Sequence, residues 1–496
     1  MRQSHTFRSS TRAGRFIGVS ALIAGTVLGV AAPAAHAAPV PGADPASALR
    51  FDRLPVPAAT ALASPAVREA EAAAARRAGF NQVKEIPDPS YSPSCPYCSL
   101  FGWKVAISGH TMVVSAIGDN SGIGAVYVYT GSGSSWTYAT TLIPSDGAAS
   151  DGFGYSVAVS SGIILVGSVN HDSSGAAYVY TNGGTYSLQA ELMGRNGAGG
   201  FFGDKVAISS NSTIMVGAPC WTTPSCAGAV FVYTKTASGW PTSPTDTLTA
   251  PGASNVDGDL FGEGLAVSST TMVIGAPGAP GTTNVSTCNG SSAGTGCSTG
   301  AAYVYQEVSG GWNQTATLTA PNGEGCSATC SDGAIIMGGD YFGWSVAIEG
   351  ATVAVGAPYA TAPSPPSTTG PAPDGGYTSD STGTAYVFTE SGTYEDELYS
   401  PSEVIDGGNQ EFGYSVAILG KSIVAGAPFD ENSTGASFVF SGKSKKRTWA
   451  TYPVELTALD GVSGDVLGWA SATIGRKYLI VGSPGSTEGD VYIYKD

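Results

Sequence analysis

The sequence predicts an all-β fold, a seven-bladed β-propeller of four-stranded blades whose ring is closed by a strand near the N-terminus. Three observations carry that expectation. A three-part motif, first seen at residues 101–129 as FGWKVAISGHTMVVSAIGDNSGIGAVYVY, recurs six more times. Each copy is followed by one further apolar stretch, so a unit of four short strands repeats every ~50 residues, a spacing suited to propeller blades. Charged residues make up only 12% of the chain while glycine reaches 69, and Tyr, Val, Ser and Thr fill the segments between glycines, a turn-rich β composition.

Taken in order, residues 1–37 combine an arginine-bearing start, an apolar run over 16–30 and small residues through Ala35-His36-Ala37. That pattern reads as a secretory signal cleaved after Ala37. Its removal takes Arg2, Arg8, Arg12 and Arg15 with it, and the formal net charge moves from −16 to −20. So acidic a chain is a poor partner for nucleic acid or an anionic membrane surface. No later segment reads as a transmembrane helix. The expected location is secreted or extracellular, free or held at the cell surface, with an extracellular protein or glycan as ligand.

Residues 38–79 are rich in Ala and Pro and read as a linker or pro-segment, with a short helix over 67–78. The propeller then occupies 80–496. Its inner strands start at Phe-Gly pairs (Phe101, Phe153, Phe202, Phe261, Phe342 and Phe412) and at a degenerate Leu467-Gly468. The second strands end in turns of the Gly-Ala-Pro kind, such as Gly217-Ala218-Pro219 and Gly426-Ala427-Pro428. Third strands end at Tyr129, Tyr180, Tyr233, Tyr305, Phe388, Phe440 and Tyr494. The last unit lacks a fourth strand, and an orphan strand FNQVKEI at 80–86 precedes the first Phe-Gly. That segment is expected to complete the seventh blade.

These residues resemble FG-GAP repeats, the units of the propeller at the N-terminal end of integrin α chains and of many bacterial secreted proteins. The resemblance covers 101–496 and implies a propeller fold, while leaving function open because one scaffold hosts many activities. In that family the hairpin between the first two strands often carries a calcium loop of the D-x-D-x-D-G kind. Here those hairpins read ISGHTMVV, VSSGIILV, ISSNSTIMV, VSSTTMVI, IEGATVAV, ILGKSIVA and TIGRKYLI, without an aspartate. The family's calcium sites therefore do not transfer to these positions, and no cofactor is expected.

Propeller topology divides the connections between two faces. One face has only short hairpins, while the other holds every insertion: 87–100, 220–226, 278–299, 322–340 and 359–382. Elaborated loops on a rigid scaffold mark a binding surface. The eight cysteines fall within these loops as close pairs, Cys95 with Cys98, Cys220 with Cys226, Cys288 with Cys297 and Cys326 with Cys330, and read as disulfides in a secreted protein. Although Cys95-Pro96-Tyr97-Cys98 matches a glutaredoxin-type motif, the βαβ context that redox chemistry needs is missing.

The residue after each Phe-Gly starts an innermost strand, so Trp103, Tyr155, Asp204, Glu263, Trp344, Tyr414 and Trp469 should converge on the axis at the channel mouth. Aromatic faces and carboxylates there suit sugar rings and their hydroxyls; packing between blades explains the same residues. Acidic residues before the Phe-Gly pairs, among them Asp151, Asp259, Asp340, Glu411 and Asp465, fit turn-forming hydrogen bonds. Asp430 and Asn432 offer oxygen ligands for a metal but lack the glycine spacing of a calcium loop. With His110 and His171 expected on opposite faces, neither a Ser-His-Asp triad nor a histidine-rich metal centre is expected. The leading functional reading is a non-catalytic binding or adhesion module. The alternatives are a carbohydrate-active protein using the aromatic mouth and a self-associating surface protein.

Overall fold

A computed structural model describes residues 80–95, 98–194, 200–210, 212–221, 226–251, 258–279, 299–309, 311–321, 340–360, 382–400, 410–442, 449, 453–486 and 489–496. The secretory segment expected at 1–37, the 38–79 segment with its helix at 67–78, and the pairs Cys288 with Cys297 and Cys326 with Cys330 lie outside the described residues.

Seven antiparallel four-stranded sheets make up the fold. Blade 1 runs through Phe101–Ser108, Thr111–Ala116, Ala125–Ser132 and Ser135–Leu142 from inner to outer strand. The same order recurs through blade 6. Blade 7 joins Ala470–Ile474, Tyr478–Ser483 and Asp490–Lys495 to Asn81–Pro87 as its outer strand. Ile86 pairs with Val491 and Glu85 with Tyr492 across that junction, so the two ends of the propeller are stitched by backbone hydrogen bonds. The closure read from the orphan strand is thus present.

The motif is explained by how blades meet. Alternate residues of a strand share a face, so both tyrosines of a Tyr-Val-Tyr strand point the same way, and the phenylalanine of the same blade packs against both. Phe153 lies 5.3 Å from Tyr178 and 6.3 Å from Tyr180 between ring centroids, edge to face, a favourable aromatic geometry. This aromatic face of blade 2 packs on Val113, Val126, Val128 and Leu142 of blade 1. At the closing seam, Phe101, Tyr127 and Tyr129 pack on Ile86, Ile480, Val491 and Ile493 of blade 7. Inner strands obey the same alternation: Val105 and Ile107 face blade 7 while Ala106 faces blade 2.

The glycines form the second joint. Gly124, just before a third strand, has φ +92°, and a Cβ there would overlap the backbone of Phe153 in the next blade. Backbone bridges repeat the contact at Gly228 with Phe261, Gly300 with Phe342, Gly383 with Phe412 and Gly435 with Leu467. The Gly-Ala of one blade and the Phe-Gly of the next are therefore two halves of one interlock.

Two-residue turns such as Gly109-His110, Ser161-Gly162 and Gly350-Ala351 join first to second strands, with first-residue φ of 60°, 51° and 57°. That left-handed start matches strand twist and leaves no loop to wrap a cation. The inner strands surround a tunnel of about 490 Å³ whose lining includes Ala106, Ala158, Ala347 and Ala417.

Candidate functional site

Antiparallel order fixes which connections share a face. Starts of inner strands, turns from second to third strand and links from each outer strand to the next blade lie at one end; the hairpins lie at the other, and there the expectation of short connections fails at two third-to-fourth-strand links, 235–245 and 442–453. The elaborated end carries both described disulfides, Cys95 with Cys98 and Cys220 with Cys226. It also carries Tyr91, Ile143, Tyr399, Leu459 and Val462 on its inter-blade links, large apolar side chains that are 37–48% exposed.

At the centre of this face the residues after the Phe-Gly pairs do converge. Tyr155, Trp103, Trp469, Tyr414 and Trp344 form one arc, with successive ring centroids 5.7, 4.9, 4.7 and 5.8 Å apart. Asp204 and Glu263 complete the circle, joined by the Lys205 ammonium, which is 2.5 Å from Asp204 Oδ2 and 2.8 Å from Glu263 Oε1. The rings pack on one another: Tyr155 and Trp469 are buried and Trp103, Trp344 and Tyr414 half-buried. The collar is a packed layer above the tunnel. Its indole N–H groups on Trp103 and Trp469 have no acceptor among the described residues.

Two lysines that sequence reading passed over belong to this collar. Lys104 and Lys205 each follow the collar position of their blade, in FGWK and FGDK, and that shared spacing was the available signal. Burial, reinforced by Lys205, lowers the Lys104 ammonium to about 8. Burial also opposes charge on Lys205, but Asp204 and Glu263 overcome it and hold its value above the ordinary one. Burial and the adjacent Asp204 carboxylate push Glu263 upward against the pull of Lys205.

The acidic residues before the Phe-Gly pairs build turns where their bonds are described. Asp151 Oδ2 accepts from Ala148 N at 2.7 Å, and Asp465 Oδ2 from Val462 N at 2.5 Å. Asp259 differs, since both its carboxylate oxygens are buried without a partner among the described residues, and burial raises it to about 7. Asp430 turns inward, where Oδ1 accepts from Gln410 Nε2 at 2.9 Å and from Glu431 N at 3.0 Å; burial raises it to about 6. Asn432 occupies a left-handed position in the same turn, and its carbonyl accepts from Ser463 Oγ at 2.7 Å.

His110 and His171 do sit at opposite ends, His110 in a hairpin and His171 in the turn after the second strand of blade 2. His171 nevertheless lies among carboxylates. It is buried, its Nδ1 is 2.8 Å from Asp151 Oδ2, and its Nε2 is 3.6 Å from Glu191, 3.8 Å from Asp172 and 4.0 Å from Asp146. Burial opposes charge on the imidazole, but Asp151 and the surrounding carboxylates raise its value above the ordinary one. Repeat register returns the turn after the second strand to the start of its own blade, which brings His171 near Asp151, but it gives no signal that Asp146 and Glu191 meet the same imidazole.

No helix among the described residues is long and apolar enough to cross a membrane. Comparison with protein families matches the FG-GAP repeat over residues 99–129, 136–180 and 328–388. A search of curated proteins finds no match. Phe-Gly starts, Gly-Ala interlocks and seven closed blades agree with that match: the chain is an FG-GAP repeat protein folded as a seven-bladed β-propeller.

Proposed function

We propose that the protein is a secreted, non-catalytic binding or adhesion propeller that engages an extracellular protein or glycan through its long-connection face. The observation that carries this reading is the asymmetry between the ends. Short hairpins occupy one, with longer links only at 235–245 and 442–453, whereas both described disulfides and five of the nine exposed large apolar side chains among the described residues, Tyr91, Ile143, Tyr399, Leu459 and Val462, occupy the other. Exposed apolar side chains amid polar loops are the usual composition of a binding patch, and a closed ring holds them at fixed spacing.

The test is binding of the purified chain to immobilised extracellular-matrix proteins and to a glycan array. Ile143→Asp combined with Leu459→Asp on the long-connection face should remove binding, and Lys477→Glu on the hairpin face should not. Equal binding by all variants would overturn the assignment of the face.

A carbohydrate ligand is favoured by one observation in particular, the unpaired indole N–H groups of Trp103 and Trp469 in a collar that also holds Asp204 and Glu263. On that reading Trp344→Ala abolishes glycan binding; because Trp344 also packs on Tyr341, Tyr359 and Tyr414, Trp344→Phe, which keeps most of that packing, should weaken binding with little change in melting temperature. Release of reducing ends from a polysaccharide panel would replace the non-catalytic reading with a hydrolytic or lytic one.

A further inference from the structure

We propose that blade 2 carries a divalent transition-metal site, of the zinc class, in which His171 Nε2, Asp146 Oδ2 and Glu191 Oε1 are the protein ligands and Asp151 orients the imidazole. The three residues bring one donor atom each within 4.8 Å of one another. His171 is only 4% exposed, and its Nε2 makes no hydrogen bond to any described residue while facing three carboxylate oxygens at 3.6–4.0 Å. Donors around a tetrahedral ion with bonds of about 2.0–2.1 Å stand about 3.4 Å apart. Each carboxylate need move by only a fraction of an ångström, and Asp146 and Glu191, with side chains 43% and 30% exposed, have room to do so. Asp172 Oδ2, 3.8 Å from Nε2, or water can fill the remaining position.

The surroundings are those a metal-bound imidazole requires. A ligating histidine donates its other ring N–H to a carboxylate, which fixes both tautomer and ring orientation. Here Nδ1 has that partner in Asp151, itself pinned by Ala148 N. Tyr178 donates to Asp146 Oδ1 at 3.4 Å, which leaves Oδ2 to turn toward the imidazole. No lysine or arginine among the described residues pairs with Asp146, Asp172 or Glu191, so the described cell contains acceptors and no fixed cation except the imidazole. An imidazole ligand suits zinc, copper, iron or nickel better than calcium or magnesium, which prefer all-oxygen sites.

Blade 7 provides an internal comparison. There Tyr492 donates to Asp460 Oδ1 at 3.0 Å, Val462 N binds Asp465, and Glu85 stands opposite Tyr492. Those contacts repeat the arrangement of Tyr178, Asp146, Asp151 and Glu191, but Ser486 takes the place of His171. The tyrosine and turn contacts are thus part of the repeat, and the imidazole is an addition of blade 2. This position is also remote from the hairpins where the family's calcium loops lie.

The test is zinc binding by the full chain after chelator treatment, measured by equilibrium dialysis with elemental analysis and by X-ray absorption. The wild type should bind one Zn²⁺ per chain through nitrogen and oxygen only, and prefer it to Ca²⁺ at least about 100-fold. His171→Gln and Glu191→Gln should each weaken binding at least about 100-fold, and Asp151→Asn about 10- to 100-fold. Asp460→Asn, in the blade 7 cell, should leave it unchanged. Glu191→Gln lies at a partly exposed position, and its circular dichroism should match the wild type, so loss of zinc there reports ligation. Absence of stoichiometric zinc, a preference for Ca²⁺, sulfur in the coordination sphere, or wild-type affinity in folded Glu191→Gln would overturn the site.

Discussion

Ile86 pairs with Val491 in the register that joins the first strand of the propeller to its last. Both side chains are buried against blade 1, with 5% and 0% exposure, so this seam is held by core packing as well as by backbone bonds. Removing residues 80–87 would expose Val491 and Ile493, open a strand edge and withdraw Phe80 and Ile86. Each buried apolar side chain is worth about 1.5–3 kcal/mol, and the melting temperature should fall by many degrees. An unchanged melt would show that the seventh blade does not need its outer strand.

Gly124 and Phe153 lock blade 1 to blade 2. Gly124→Ala must both abandon a positive φ and push into the Phe153 backbone, where no flexible side chain can yield. The expected cost is about 3 kcal/mol or more, read by urea unfolding. Gly162→Ala serves as control, because that glycine also has positive φ but no neighbour within 4 Å, and its cost should be about 1 kcal/mol.

In the collar, Lys205→Met removes the cation shared by Asp204 and Glu263 and leaves two buried carboxylates side by side. Breaking a buried ion pair costs about 3–5 kcal/mol; the Lys205 side chain is 22% exposed, so about 2–3 kcal/mol is expected after solvent screening. Adding Asp204→Asn and Glu263→Gln should recover most of the loss. Calorimetry of the single and triple variants checks both statements.

Several buried carboxyls have raised values caused first by burial: Asp259 and Asp490 about 7, and Glu411 about 8. In the unfolded chain such groups titrate at about 4. Between about pH 4 and 8 the folded chain therefore retains protons that the unfolded chain has released, and stability falls as pH rises through that window. Asp259→Asn should flatten part of the slope and add up to about 4 kcal/mol at pH 8. Unfolding free energies measured at pH 5, 6.5 and 8 decide the sign.

The fold was legible because it is written seven times. Phe153 with Tyr178 and Tyr180, and Gly124 with Phe153, are contacts between motif positions, so repetition in sequence becomes repetition in space. Even the degenerate Leu467 keeps its bridge to Gly435. The collar was legible by register alone, since one position per inner strand must reach the axis. Its lysines were not: Lys104 and Lys205 sit at a position used elsewhere by Ser156, Ser345 and Ser415, whose hydroxyls bind neighbouring backbone carbonyls. The His171 cell was hidden for a different reason. Its three proposed ligands, Asp146, His171 and Glu191, are 20 to 45 residues apart along the chain and meet only when an inter-blade link, a turn and an outer strand converge.

Binding of the purified chain to immobilised matrix proteins and a glycan array, compared across faces, decides which end of the propeller carries the functional surface. Saturable binding to at least one member is expected, lost in the Ile143→Asp, Leu459→Asp double variant and retained in Lys477→Glu. Binding that survives the double variant and fails with Lys477→Glu would contradict that expectation, and would move the functional surface to the hairpin end.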